Sequence, residues 1–203
     1  PSASADAVPE YDNGYQMCFA DSNQGAVAAG QVNETYKGKT IGAFYKSDDA
    51  YSKGIFDKFK ATLDSSITLK ETSFTDNTAT DFATQIDTLK DCEFVFLPIY
   101  AAPASLFITQ AKDVMSKDTV FYGCDGLDGI DSIEGFDITT VPQEVSMLSQ
   151  FNSNATEGAS KVFIDKYVAK YGKDTLNQFA ASAYDCVYAL VDAMKEIKAK
   201  GKD

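Results

Sequence analysis

A chain of 203 residues suffices for one large domain or two small ones. Apolar residues make up 44%, with 14 Phe and 11 Tyr for a core, and a net charge of -12 argues against nucleic acid and against unaided adsorption to anionic lipid. All 18 cations are lysines, and the absence of His and Arg excludes Ser-His-Asp and Cys-His catalysis, the usual zinc and iron sites, and the guanidinium clamp for phosphate or carboxylate.

Tyr15 to Phe19 reads as a strand, followed by a helix from Ser22, its N-cap, to about Glu34. Thr40 to Tyr45 is β-rich, and Tyr51 to Leu63 sets Ile55, Phe56, Phe59 and Leu63 on one helical face. Ile67 to Phe74 alternates as a half-exposed strand does. Asp81 to Leu89 places Phe82, Ile86 and Leu89 at helical spacing behind Thr80 as N-cap. Phe94-Val95-Phe96-Leu97 is continuously apolar, the pattern of a central parallel strand covered on both faces. A helix with Pro103 near its start runs to about Met115, and Thr119 to Tyr122 and Phe136 to Val141 supply the fourth and fifth strands. Alternation through residues 39–141 predicts an α/β fold, a parallel sheet with helices on both faces. After Pro142 come two helices with no strand between them, Glu157–Lys170 and about Asn177–Lys198. The first is expected to bury Val162, Phe163 and Val168. The second is expected to bury Phe179, Tyr184, Val187, Leu190, Val191 and Met194. Lys195–Lys202 reads as a frayed end.

Cys18, Cys92, Cys124 and Cys186 lack zinc-type spacing and read mainly as buried small apolar residues. Export would permit one or two disulfides, whose partners the spacing does not assign. Apolar runs fall far short of the ~20 residues of a membrane span. An opening of Pro1-Ser2 in place of Met, and a helix pair with no sheet to pack on, read as a trimmed piece of something longer.

Gly38-Lys39-Thr40 is no phosphate loop, because Asn33 stands where the pattern needs Gly and the tripeptide leads into a strand. Asp125, Asp128, Asp131 and Glu134 recur at every third position, unlike the alternating ligands of a calcium loop, and the last three read as solvated charge. The informative feature is geometric. Ligands of open α/β sheets sit beyond the strands' carboxyl ends, where strand order reverses. With the order 2-1-3-4-5, the first, third and fourth strands are adjacent, and the loops after them offer Tyr51, Tyr100 and Asp125. Two phenols and a carboxylate then converge on one crevice. Such a carboxylate, with no Arg, His or metal beside it, suits the ammonium of a small amine or amino acid better than catalysis.

Residues 1 to about 195 resemble the branched-chain amino-acid-binding proteins of bacterial ABC importers, which are type I periplasmic binding proteins. The marks are Ser2-Ala3-Ser4, Asp21-Ser22-Asn23-Gln24-Gly25, Ala50-Tyr51-Ser52-Lys53-Gly54, Asp81-Phe82 with Gln85-Ile86 and Leu89-Lys90, Phe94 to Tyr100, Gln110-Ala111 and Tyr184-Asp185, in that order. The resemblance implies a two-lobed clamshell that closes on a free amino acid without cofactor or covalent chemistry. Residues 22–141 would form a complete second lobe, with 1–21 and 142–203 parts of an incomplete first lobe. Ser2 and Ser4 match a turn that holds the ligand carboxylate. Asp125 matches an acid that holds the ammonium, where relatives often carry Glu. Tyr51 and Tyr100 match aromatics that line the cleft. The implied partners are an amino acid and the membrane permease of an ABC importer, with no nucleic acid. Apolar faces left on the last two helices are expected to pair two copies in a homodimer. The implied location is periplasmic, or the cell surface through a lipid anchor. A sensor domain of the same fold, coupled to signalling, is the alternative, and an enzyme on this sheet is disfavoured by the missing His, Arg and phosphate loop.

Overall fold

A computed structural model describes residues 3–197. The chain divides into two compact units, Ala20–Ser149 and Pro1–Phe19 with Gln150–Asp203. The resemblance implies crossings between lobes near Ala20–Ser22 and Pro142–Glu144.

In the first unit, helix α1 (Asp21–Thr35) precedes β1 (Thr40–Lys46), α2 (Ala50–Thr62), β2 (Thr68–Phe74), α3 (Ala83–Leu89), β3 (Phe94–Leu97), α4 (Ala101–Ala111), β4 (Val120–Gly123) and β5 (Glu144–Met147). The sheet is parallel throughout, in the order β2-β1-β3-β4-β5. The fold is therefore α/β with helices on both faces of the sheet. Alternation along the strands assigns side chains to two separate cores. Ala43, Phe94, Phe96 and Tyr122 pack under α1 and α2, while Phe44, Val95, Leu97 and Phe121 pack under α3 and α4. Stacked rings knit each layer: Phe59 on Phe96 at 4.2 Å between centroids, and Phe44 on Phe107 at 4.6 Å. Each such pair adds roughly 0.5–1.5 kcal/mol beyond burial of its area. Cys124 is buried on the α1–α2 side and Cys92 on the other.

Several expectations are corrected. Ala20, not Ser22, is the N-cap of α1, and Phe82, not Thr80, that of α3. The fifth strand is Glu144–Met147; Phe136–Val141 instead forms a 3-10 turn at Ile138–Thr140. There Asp137 Oδ1 accepts from the Thr139 N–H and hydroxyl, and local bonds of this kind compete with strand pairing.

In the second unit Tyr15–Phe19 forms no strand, since no described strand of that unit offers a ladder. Gln16 instead donates to the Ala3 carbonyl at 2.8 Å. Helices α5 (Gly158–Tyr171) and α6 (Gln178–Glu196) form as expected, α6 capped by Asn177 accepting from the Ala180 N–H. Phe163 is buried, with the rings of Phe151, Tyr167 and Tyr184 around it. The remaining assignments fail: Val162, Phe179, Val187, Leu190, Val191 and Met194 are exposed, and Val168 and Tyr184 only half-buried. Among the described residues no helix is long and apolar enough to cross a membrane. The stretch from Lys198 on, most of the expected frayed end, lies outside the described residues.

Candidate functional site

Strand order reverses between β1 and β3: the chain leaves β1 for β2 on one side and returns to β3 on the other. At this switch point the carboxyl ends of adjacent parallel strands open a crevice. Three loops reach it.

After β1, Asp49 caps α2 by accepting from the Ser52 N–H at 2.9 Å, while Ser52 Oγ accepts from the Lys46 N–H at 2.7 Å. This double tie fixes the first turn of α2 and the Tyr51 it carries. After β3, Tyr100 is the N-cap residue of α4, and Pro103 in the first turn sits where a backbone N–H would have no helical partner. After β4, Cys124 is extended and Asp125 opens a 3-10 turn ending at Leu127.

The side chains meet around Asp125, which is 5% exposed. Tyr51 donates its hydroxyl hydrogen to Asp125 Oδ1 at 2.6 Å, and its oxygen accepts from the Gly126 N–H at 2.8 Å. A Cβ on residue 126 would lie 2.7 Å from that phenol oxygen and 3.0 Å from the Ile99 carbonyl oxygen, so this close approach requires glycine. The Tyr51 ring stacks on Tyr100 at 4.8 Å between centroids, 21° from parallel. Burial, then the neighbouring Cys124 and Asp125, push the Tyr51 phenol far above its ordinary range, so it remains a donor. Burial chiefly raises Tyr100 as well, with Asp49, Asp21 and Asp125 adding to it. Burial likewise keeps the Cys124 thiol protonated.

The structure thus brings Asp125, Tyr51 and Tyr100 together. Ser4 is buried in the other compact unit, and Ser2 lies outside the described residues. Asp131 and Glu134 are exposed and Asp128 half-buried.

Sequence reasoning did not assign a role to Gln24 on α1. Its amide nitrogen donates to Asp125 Oδ1 at 2.9 Å, and its oxygen accepts from the Asp125 N–H at 3.0 Å. Its position in Asp21-Ser22-Asn23-Gln24-Gly25, at the start of a helix, was the signal available.

The profile of the periplasmic binding protein family matches residues 1–203. The chain belongs to the periplasmic binding protein family. Among solved relatives is LivJ, a branched-chain amino acid transporter substrate-binding protein from Streptococcus pneumoniae in complex with isoleucine. It shares 27% identity over 87% of this chain and 50% of its own, with a TM-score of 0.71. LivK, a leucine binding protein from Thermotoga maritima, shows the same fold at 20% identity, over 89% of this chain and 51% of its own, with a TM-score of 0.71. An ABC transporter substrate-binding protein from Desulfitobacterium hafniense in complex with Leu shares 19%, over 88% of this chain and 50% of its own, with a TM-score of 0.63. The chain spans about half the length of these relatives. No curated protein matches it.

Proposed function

We propose that the chain acts as an extracytoplasmic solute-binding protein, capturing a branched-chain amino acid for delivery to an ABC permease. The observation that carries this reading is the Asp125 carboxylate, buried at the switch point beside two stacked tyrosine rings. Gln24 and Tyr51 donate to this carboxylate as neutral dipoles, and its charge attracts a ligand ammonium. In so shielded a place that attraction is several times stronger than in water. The tyrosine faces carry negative quadrupole that favours a cation nearby. Tyr100, half exposed, also offers apolar surface to a branched side chain. The residues supply a fixed recognition surface, and the reading is one of capture and release. LivJ, at 27% identity, is in complex with isoleucine, which favours the branched-chain class.

Thermal-shift measurements on the full-length protein with each of the twenty amino acids test this. Leucine, isoleucine or valine should raise the melting temperature most, since ligand at a hundred times its Kd adds about 2.7 kcal/mol to stability. No shift with any amino acid would contradict the proposal.

A further inference from the structure

We infer that Gln24 is a positioning residue for ligand recognition, one that aims the Asp125 carboxylate before ligand arrives. The inference rests on the proposed role of Asp125. Gln24 is 2% exposed and meets Asp125 twice, as donor to the carboxylate and as acceptor from the backbone N–H of the same residue. Two bonds of opposite polarity to one residue fix both its main chain and its side chain. An amide of this length does both. A glutamate would accept from the N–H but oppose the carboxylate with like charge, and an asparagine is one methylene shorter.

Tyr51 makes the matching clasp from α2, to the same Oδ1 and to the Gly126 N–H. The two helices that carry these clasps are themselves held close. Gly25, next to Gln24, leaves α1 against α2 with no room for a Cβ, which would stand 2.4 Å from the Ile55 carbonyl oxygen. Asp125 therefore rests in a frame set by α1, α2 and β4. A carboxylate held in this way loses no side-chain entropy when an ammonium binds.

A double-mutant cycle read by titration calorimetry with L-leucine on the full-length protein tests the inference. Gln24→Met should weaken binding roughly tenfold beside Asp125 but less than twofold in the Asp125→Asn background, because neighbours that act as a unit are non-additive. A purely structural role would cost the same in both backgrounds, and that result overturns the inference. Should Gln24→Met fail to fold, Gln24→Glu supplies the second arm. It keeps the acceptor for the Asp125 N–H, removes the donor to Oδ1, and should also lose roughly tenfold or more. Combined with Asp125→Asn, whose amide can donate to Glu in turn, it should bind no worse than Asp125→Asn alone. Wild-type affinity in Gln24→Glu overturns the inference while leaving the role of Asp125 standing. If the unsubstituted protein does not bind leucine, or Asp125→Asn binds it unchanged, the proposed site falls and the inference falls with it.

Discussion

Tyr51 serves a carboxylate and a backbone N–H with one oxygen, so removing that oxygen takes one donor from Asp125 Oδ1, which keeps Gln24, and the acceptor from the buried Gly126 N–H. Tyr51→Phe should cost about 1–3 kcal/mol of stability, measured by urea unfolding at neutral pH. The phenol's pKa also links its burial to pH. It lies above the ordinary 10.0 in the folded chain, so the stabilisation it brings is complete below that value and lost as pH rises beyond it. Between pH 9 and 11 the melting temperature of the unsubstituted protein should fall more steeply than that of Tyr51→Phe; parallel curves would contradict the assignment. Tyr51, Tyr100 and Asp125 were legible in the sequence because each lies within five residues past the end of a strand whose pattern is clear. Gln24 was not: its bonds to Asp125 span 101 positions, and no local periodicity encodes such a pairing.

Two glycines of α1 behave oppositely. Gly25 faces α2, where a Cβ would lie 2.4 Å from the Ile55 carbonyl oxygen and 2.9 Å from the Phe59 nitrogen, both backbone atoms that yield little. Gly30 has open space around it. Gly25→Ala should therefore destabilise by about 1–3 kcal/mol through overpacking. Gly30→Ala should stabilise by about 0.5–1 kcal/mol through helix propensity. Thermal melts of the two variants check the opposite signs. The first four strands were legible because apolar and β-branched runs alternate with amphipathic helices. The fifth was displaced because Phe136–Val141 looks like a strand in composition, yet Asp137 and Thr139 close a local turn while Phe136 still reaches the core. Glu144–Met147 pairs with β4 from Val120↔Glu144 to Gly123↔Met147 despite two polar residues. For α5 and α6 the helical period was right, but period gives a face without giving what lies against it. Most of the face expected to be buried on α6 is exposed.

Both core clusters, on the two faces of the sheet, are built entirely from residues between Ala28 and Leu148. The segment 20–149, expressed alone, should therefore melt cooperatively and keep its near-ultraviolet circular dichroism. A gradual melt without tertiary signal would show that its core depends on residues outside it. The same unit carries Asp125, Tyr51, Tyr100 and Gln24, so the proposed ammonium recognition belongs to one α/β frame. The most direct test is a crystal structure of the full-length protein grown with L-leucine. The ligand's ammonium nitrogen should lie within hydrogen-bond reach of the Asp125 carboxylate, about 2.7–3.0 Å, with Tyr51 and Tyr100 alongside. A leucine bound with its ammonium on other groups, out of reach of Asp125, would contradict the proposal.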